Sequence, residues 1–175
     1  MSRLEELLQT LCPDGVELIP LCDVASIDKG EQLNLTKMTA NAPYPVMNGG
    51  IKPSGFYEKY NTTENTIAIS QGGASAGFVN FVNTKFWAGA HCYIVRPKTP
   101  AINNKYLYYF LKNSESEIQN SKYGAGIPGL NKSTLDRLNL PIPPLPVQEE
   151  IVRILDTFSG AVTELEAEQA ARVRQ

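Results

Sequence analysis

The chain has 175 residues, 42% of them hydrophobic and 19% charged, with a net charge of −2. That length can bury a real core and fits one ordinary domain plus an appendage. It holds no apolar run of about 18 residues of the kind that spans a membrane, and no basic-then-apolar N-terminus of the secretory kind.

Residues 2–12 predict a short helix: Ser2 and Glu5 form a capping-box pattern, and Leu4, Leu7, Leu8 and Leu11 share a face. Pro13-Asp14-Gly15 stops it as a turn. Residues 16–27 predict a continuous strand region, and the polar segment 29–42 is expected to be mobile. Strands follow at 45–48, 66–70, 77–82 and 90–95, separated by Asn/Gly-rich turns. Residues 104–112 and 115–121 predict helices, with Tyr106, Leu107, Tyr109, Phe110 and Leu111 on the apolar side. A loop at 124–129, a helical turn at 133–138 and a last strand at 138–142 complete an α+β body with a strand-rich centre.

Four prolines stand between positions 141 and 146. They fix φ and remove donors, so a sheet cannot continue there and the next helix is expected only from Val147. Ile151, Ile154, Leu155, Phe158, Val162 and Leu165 then fall on one helical stripe. If 147–175 is one helix it has 29 residues and spans roughly 44 Å at ~1.5 Å per residue. Ile151, Leu155, Phe158, Val162 and Leu165 fit alternating d and a positions, the pattern of a helix that pairs with another. The plainer alternative is a helix packed only on its own domain. The natural division is a body at 1–144 and a spacer helix at 145–175.

The charge is segregated. Residues 1–28 carry a net −5, residues 29–132 a net +6 and residues 133–175 a net −3. A basic middle in an acidic frame can draw a polyanion to one face while the rest repels it. Ordinary surface lysine is the bland alternative. In that middle lies Ser-Gln-Gly-Gly-Ala-Ser-Ala-Gly-Phe, 70–78, whose glycines leave backbone amides open to close approach. It lacks the Gly-Lys-Ser/Thr of a phosphate-binding loop, and its glycine spacing does not suit a dinucleotide site. A tight hairpin connection is the alternative.

Catalysis finds little support. His91 and Cys92 are neighbours on a predicted strand, so they point to opposite faces and cannot form a nucleophilic dyad. Cys12, Cys22 and Cys92 match no metal spacing and suit reduced thiols in a cytoplasmic protein. The single His91 cannot build a histidine metal site unaided. The basic middle has no carboxylate pair for acid–base or metal chemistry, and the chain has no Asp/Asn-Pro-Pro-Tyr/Phe methylase tetrapeptide. What remains is a set of polar and aromatic residues on loops: Asn48, Lys52, Ser54 and Tyr57; Gln71, Gly72, Gly73 and Ser75; Lys85 and Trp87; Lys122, Tyr123, Asn131 and Lys132. Amide side chains can bond adenine edges, and lysines can meet guanine or phosphate. Together with the basic middle they point to nucleic acid.

The segments YPVMNGGIKPSGFY, NTIAISQGGASAGFVNF, FWAGAHCYIV, NKYLYYFLK, GAGIPGLNKSTLDRL and PIPPLPVQEEIVRILD resemble those of type I restriction–modification specificity subunits, as does the opening LCPDGVE. The resemblance covers nearly the whole chain. It implies a target recognition domain followed by a long helix, an arrangement usually present twice, with two domains at opposite ends of an antiparallel helical spacer reading a bipartite site in double-stranded DNA. It further implies docking of modification subunits that methylate adenine with S-adenosylmethionine and of restriction subunits that cleave with ATP and Mg²⁺, neither activity residing in this chain. The chain would then bind no cofactor or metal itself. It departs from the pattern in holding one recognition domain, with the helix still running at Gln175. A fragment of a longer subunit is expected over a natural half-subunit that dimerises. Two other readings stay open: a nucleotide-phosphate enzyme using the glycine loop, and a partner-docking half-subunit with little DNA readout.

Overall fold

Alternating apolar residues before position 97 build sheets, and a period near four beyond position 103 builds helices. The computed structural model describes residues 1–124, 126 and 128–173. Ala125 and Ile127 of the expected loop, and Arg174 and Gln175 of the expected helix, lie outside the described residues.

Helix α1 (Arg3–Leu11) opens with the capping box the sequence predicts: the Ser2 side chain accepts from the Glu5 backbone and Glu5 accepts from Ser2. Strand β1 (Leu18–Pro20) follows, then a helical turn α2 (Leu21–Val24) and β2 (Ala25–Lys29). The expected unbroken strand over 16–27 is thus interrupted. Leu21 is fully buried, and its backbone N–H donates to the Leu138 carbonyl at 2.8 Å. Burying a leucine is worth about 2 kcal/mol, enough to override local strand preference at one position. The polar segment 30–42, expected to be mobile, contains a 3-10 turn at Leu35–Lys37 and is tied down by Glu31 N–H to Ala88 O and Thr39 N–H to Phe56 O.

The central sheet has strand order β2-β8-β5-β6, all antiparallel, with β5 at Thr66–Ser70, β6 at Val79–Val82 and β8 at Cys92–Pro97. Every residue of β5 is buried, which explains its unbroken apolar run. Its alternation divides two cores. Ile67 and Ile69 face the larger core, with Leu107, Leu111 and Ile118 of α3 (Asn104–Asn113) and α4 (Glu115–Asn120). Ala68 faces a smaller core with Met47, Phe86, Ala88, Cys92 and Ile94. That second core is roofed by a sheet of order β4-β3-β7: β3 (Tyr44–Met47) pairs antiparallel with β4 (Gly55–Tyr57) and parallel with β7 (Trp87–Ala88). Strands β4 and β7 are three and two residues long, too short for periodicity to reveal.

After α5 (Lys132–Asp136), strand β9 (Asn139–Pro141) pairs with β1, and α6 runs from Leu145 to Val173. The helix therefore begins two residues before the expected start. Pro144 O accepts from the N–H of Val147 and of Gln148, and Pro146 sits in the first turn, where a missing N–H loses no helical bond. The root of α6 is buried. Gln148, fully buried, accepts from Asn103 N–H at 2.8 Å and donates to Ala101 O and Pro143 O at 3.0 and 2.8 Å. Tyr106 Oη donates to Pro141 O, and the Tyr109 hydroxyl donates to Asp156. Beyond Asp156 the helix is exposed through Arg172.

Candidate nucleic-acid interface

Strand ends place four connections side by side: 48–54 after β3, 71–78 after β5, 89–91 before β8, and 121–131. They are knitted by backbone bonds. Gln71 N–H donates to His91 O, Leu130 N–H to Gln71 O, Gly73 N–H to Pro128 O, and Gly89 N–H to Met47 O, all within 2.9 Å. Tyr123 and Gly129 exchange both backbone bonds, at 3.0 and 2.9 Å. The Ser70 hydroxyl donates to Gly50 O, and His91 N–H donates to Asn48 Oδ1 at 2.9 Å. At the centre is an open depression of about 410 Å³ lined by Asn48, Gly49, Gly50, Ser54, Gly72, Gly73 and His91. Glycine is required there on two grounds. A Cβ on Gly49 would lie 2.8 Å from Gly72 O, and Gly73 has φ +79°, where side chains are strained.

The predicted residues separate into three places. Asn48, Ser54, Gly72 and Gly73 line the depression. Gln71 stands at its edge, with Oε1 3.4 Å from His91 Nδ1, and Ser75 turns the same loop by accepting from Phe78 N–H. Lys52 is exposed on the 48–54 loop and forms no ion pair among the described residues. Lys122 donates to Ala74 O at 3.3 Å, and the half-exposed Tyr123 ring covers Gly129.

Tyr57, Lys85 and Trp87 belong instead to an aromatic seam on the small sheet. Tyr57 and Trp87 meet edge to face at 5.2 Å, and the indole N–H donates to Glu31 O. Lys85 Nζ lies 4.7 Å over the Tyr60 ring, and its hydrogen bond to the Tyr60 hydroxyl raises its pKa. Asn131 and Lys132 open α5. Lys132 pairs with Asp136 at 2.9 Å, and this bond raises its pKa. Lys52 is thus the least committed of these four lysines.

His91 is the lining residue that loop composition did not select. The sequence places His91 on the expected strand over 90–95 beside Cys92, but the structure puts it in the exposed turn before β8, which starts at Cys92. Burial pushes the Cys92 thiol up to about 12, so it is an inert small apolar group. Among the described residues no group of three His, Cys, Asp or Glu side chains could hold a metal ion, and no helix is long and apolar enough to cross a membrane. The cluster offers backbone amides, two carboxamides, hydroxyls and an imidazole, a set suited to non-covalent reading of another molecule's polar edges.

A family model described as type I restriction modification DNA specificity domain matches residues 13–175. A Haemophilus influenzae protein provisionally named a type I restriction enzyme specificity subunit is 32% identical over 168 residues, covering 92% of this chain and 41% of that protein. A Mycoplasma genitalium protein provisionally named a type I specificity subunit is 33% identical over 116 residues, covering 66% of this chain and 30% of its own length. The chain therefore spans well under half of these relatives. The crystal structure of a type I restriction–modification S subunit from M. genitalium superposes with a TM-score of 0.79 at 28% identity, over 86% of this chain and 40% of that one. The HsdS subunit from Thermoanaerobacter tengcongensis shares the fold, with a TM-score of 0.68 at 21% identity, over 95% of this chain and 44% of that one.

Proposed function

The chain belongs to the type I restriction–modification DNA specificity family, and from that premise we propose that it reads one half of a bipartite sequence in double-stranded DNA. Residues 1–144 are the reading body and residues 145–175 the spacer helix. The observation that carries this reading is the convergence of three loops on one glycine-walled depression, with exposed Lys52 on the first of them and Lys122 bonded to Ala74 of the second. Backbone amides and small residues let a duplex come close, carboxamides and hydroxyls meet base edges, and lysines meet phosphate.

The chain contributes recognition and no catalysis. S-adenosylmethionine, ATP and Mg²⁺ act on the modification and restriction subunits it docks. The stripe of Ile151, Leu155, Phe158, Val162 and Leu165 pairs with the helix of a second recognition body or a second copy. Support for pairing comes from the exposure of Phe158, Val162 and Leu165, whereas Ile151 packs against the chain's own core.

The test is binding of duplex DNA carrying the half-site as a function of salt. Replacing Lys52 or Lys122 by Ala is expected to lower the log–log salt slope by about one for each lysine–phosphate interaction removed. Unchanged slopes in both variants, with Lys85→Ala and Lys132→Ala also without effect, would remove the phosphate assignment. Transferring this body into another subunit of the family should move one half of the methylated sequence in a genome-wide methylation map, and a map that stays put sinks the reading. The partner-docking alternative predicts that unchanged map.

A further inference from the structure

His91 stands at the end of a series of directional contacts that begins in the core. The Leu130 carbonyl can only accept, so the buried Tyr93 hydroxyl spends its proton there, at 3.1 Å. The Tyr93 oxygen is then left to accept. Burial raises the Tyr93 phenol pKa most strongly, and the Gln71 side chain beside it is one of the smaller influences lowering it. The Gln71 amide presents its Oε1, which can only accept, to His91 Nδ1 at 3.4 Å. In a neutral imidazole, an Nδ1–H engaged with Gln71 leaves Nε2 as a bare acceptor. The backbone that carries the ring is pinned on both sides. Its N–H donates to Asn48 Oδ1, and its carbonyl accepts from Gln71 N–H.

Resting on the DNA-reading function above, we propose that His91 is a specificity-determining residue whose Nε2 accepts from the exocyclic amino group of adenine or cytosine in the major groove, with Gln71 as its positioning residue. The chemistry selects that class of base edge. Adenine N6 and cytosine N4 are donors, whereas guanine O6 and thymine O4 at the corresponding places are acceptors and would repel a bare ring nitrogen. Loop composition points to the amide of Gln71 as a bidentate adenine reader. The chain of bonds instead commits that amide to holding the imidazole.

The single histidine makes one test direct, since ¹⁵N spectra of the full chain contain one imidazole. With the ring neutral, the wild type is expected to show Nδ1 protonated and Nε2 bare, and Gln71→Ala should shift the ring toward the ordinary Nε2–H form. A wild-type ring already in the Nε2–H form overturns the positioning chain, whatever the function of the loops. The second test selects bound duplexes from a randomised pool, using the chain with its modification subunit. Wild type is expected to prefer an amino-bearing base at one position by about tenfold, and His91→Ala to relax that position alone. Replacing the base there by its analogue without the amino group should weaken the wild type and leave His91→Ala unchanged. Uniform loss of affinity in His91→Ala with its preferences intact would make the residue structural and overturn the inference. Absence of any preference in the wild type would overturn the DNA-reading function itself, leaving the tautomer result to stand or fall separately.

Discussion

From Leu145 to Asp156, α6 is fastened to the body by the three bonds of buried Gln148, by buried Val147 and by the Lys105–Asp156 pair at 3.2 Å. From Thr157 to Arg172 the same helix is exposed, with Phe158, Val162 and Leu165 all more than half accessible. One continuous helix is thus held by two different means. Its root joins the apolar packing of Val147, Ile151 and Val152 to polar groups taken out of water and paired, an arrangement that fixes direction because each bond has a geometry. Its outer half keeps contacts within the helix alone, the hydroxyl bonds of Thr157 and Thr163 and the exposed Arg172–Glu168 pair at 3.6 Å among them, together with an exposed apolar edge.

Gln148→Leu strikes the difference hardest. It leaves the Asn103 N–H and the Ala101 and Pro143 carbonyls without this partner, and a cost of about 3 kcal/mol is expected by urea unfolding. A loss near zero would mean that packing, not hydrogen bonding, holds the root.

Next comes acid. The Arg153 guanidinium, bonded to both Glu150 oxygens at 2.9 and 2.7 Å, holds that carboxyl below the ordinary glutamate range, and Arg3 at 3.7 Å adds to the effect. A depressed folded pKa means the contribution is present above the unfolded value and lost as pH falls through the folded one. Stability of the wild type should therefore fall more steeply than that of Arg153→Ala below the usual glutamate pKa. Identical pH profiles would show the pair to be idle.

Gly160 offers a gain instead of a loss. It lies in the exposed half, a Cβ there meets nothing within 4 Å, and its φ is ordinary. Gly160→Ala should stabilise the helix by about 0.5–1 kcal/mol, read as added helicity and a higher Tm. The smallest effect on folding is expected from Phe158→Gln, Val162→Gln and Leu165→Gln together, within about 0.5 kcal/mol. The same triple variant should abolish concentration-dependent association of the chain in sedimentation. Association that survives it would place the pairing surface elsewhere.

Long regular elements were legible in the sequence because their periods repeat. The capping box of α1, the buried run of β5, the apolar face of α3 and the stripe of α6 each follow from spacing. What escaped was decided by single tertiary interactions. Leu21 folds a helical turn into an expected strand because one side chain finds the core, and β4 and β7 exist through pairing with β3 alone. The interface shows the same division. Asn48, Ser54, Gly72 and Gly73 converge because they share turn chemistry at adjacent strand ends. Lys85 and Trp87, equally polar and aromatic in sequence, are engaged by Tyr60 and by the Glu31 carbonyl, partners that no local pattern encodes. His91 owes its place to the turn before β8, which the expected strand over 90–95 covers.

The bonds of Gln148 also set a mechanical tolerance. As a lever arm of 29 residues, α6 reaches roughly 44 Å from its pivot, so a tilt of about 10° at the root would swing the far end by roughly 8 Å. Against a B-DNA repeat of about 34 Å per turn, that error approaches a quarter of a turn. Three hydrogen bonds on one buried amide therefore set the aim of the helix over a distance more than ten times their own length.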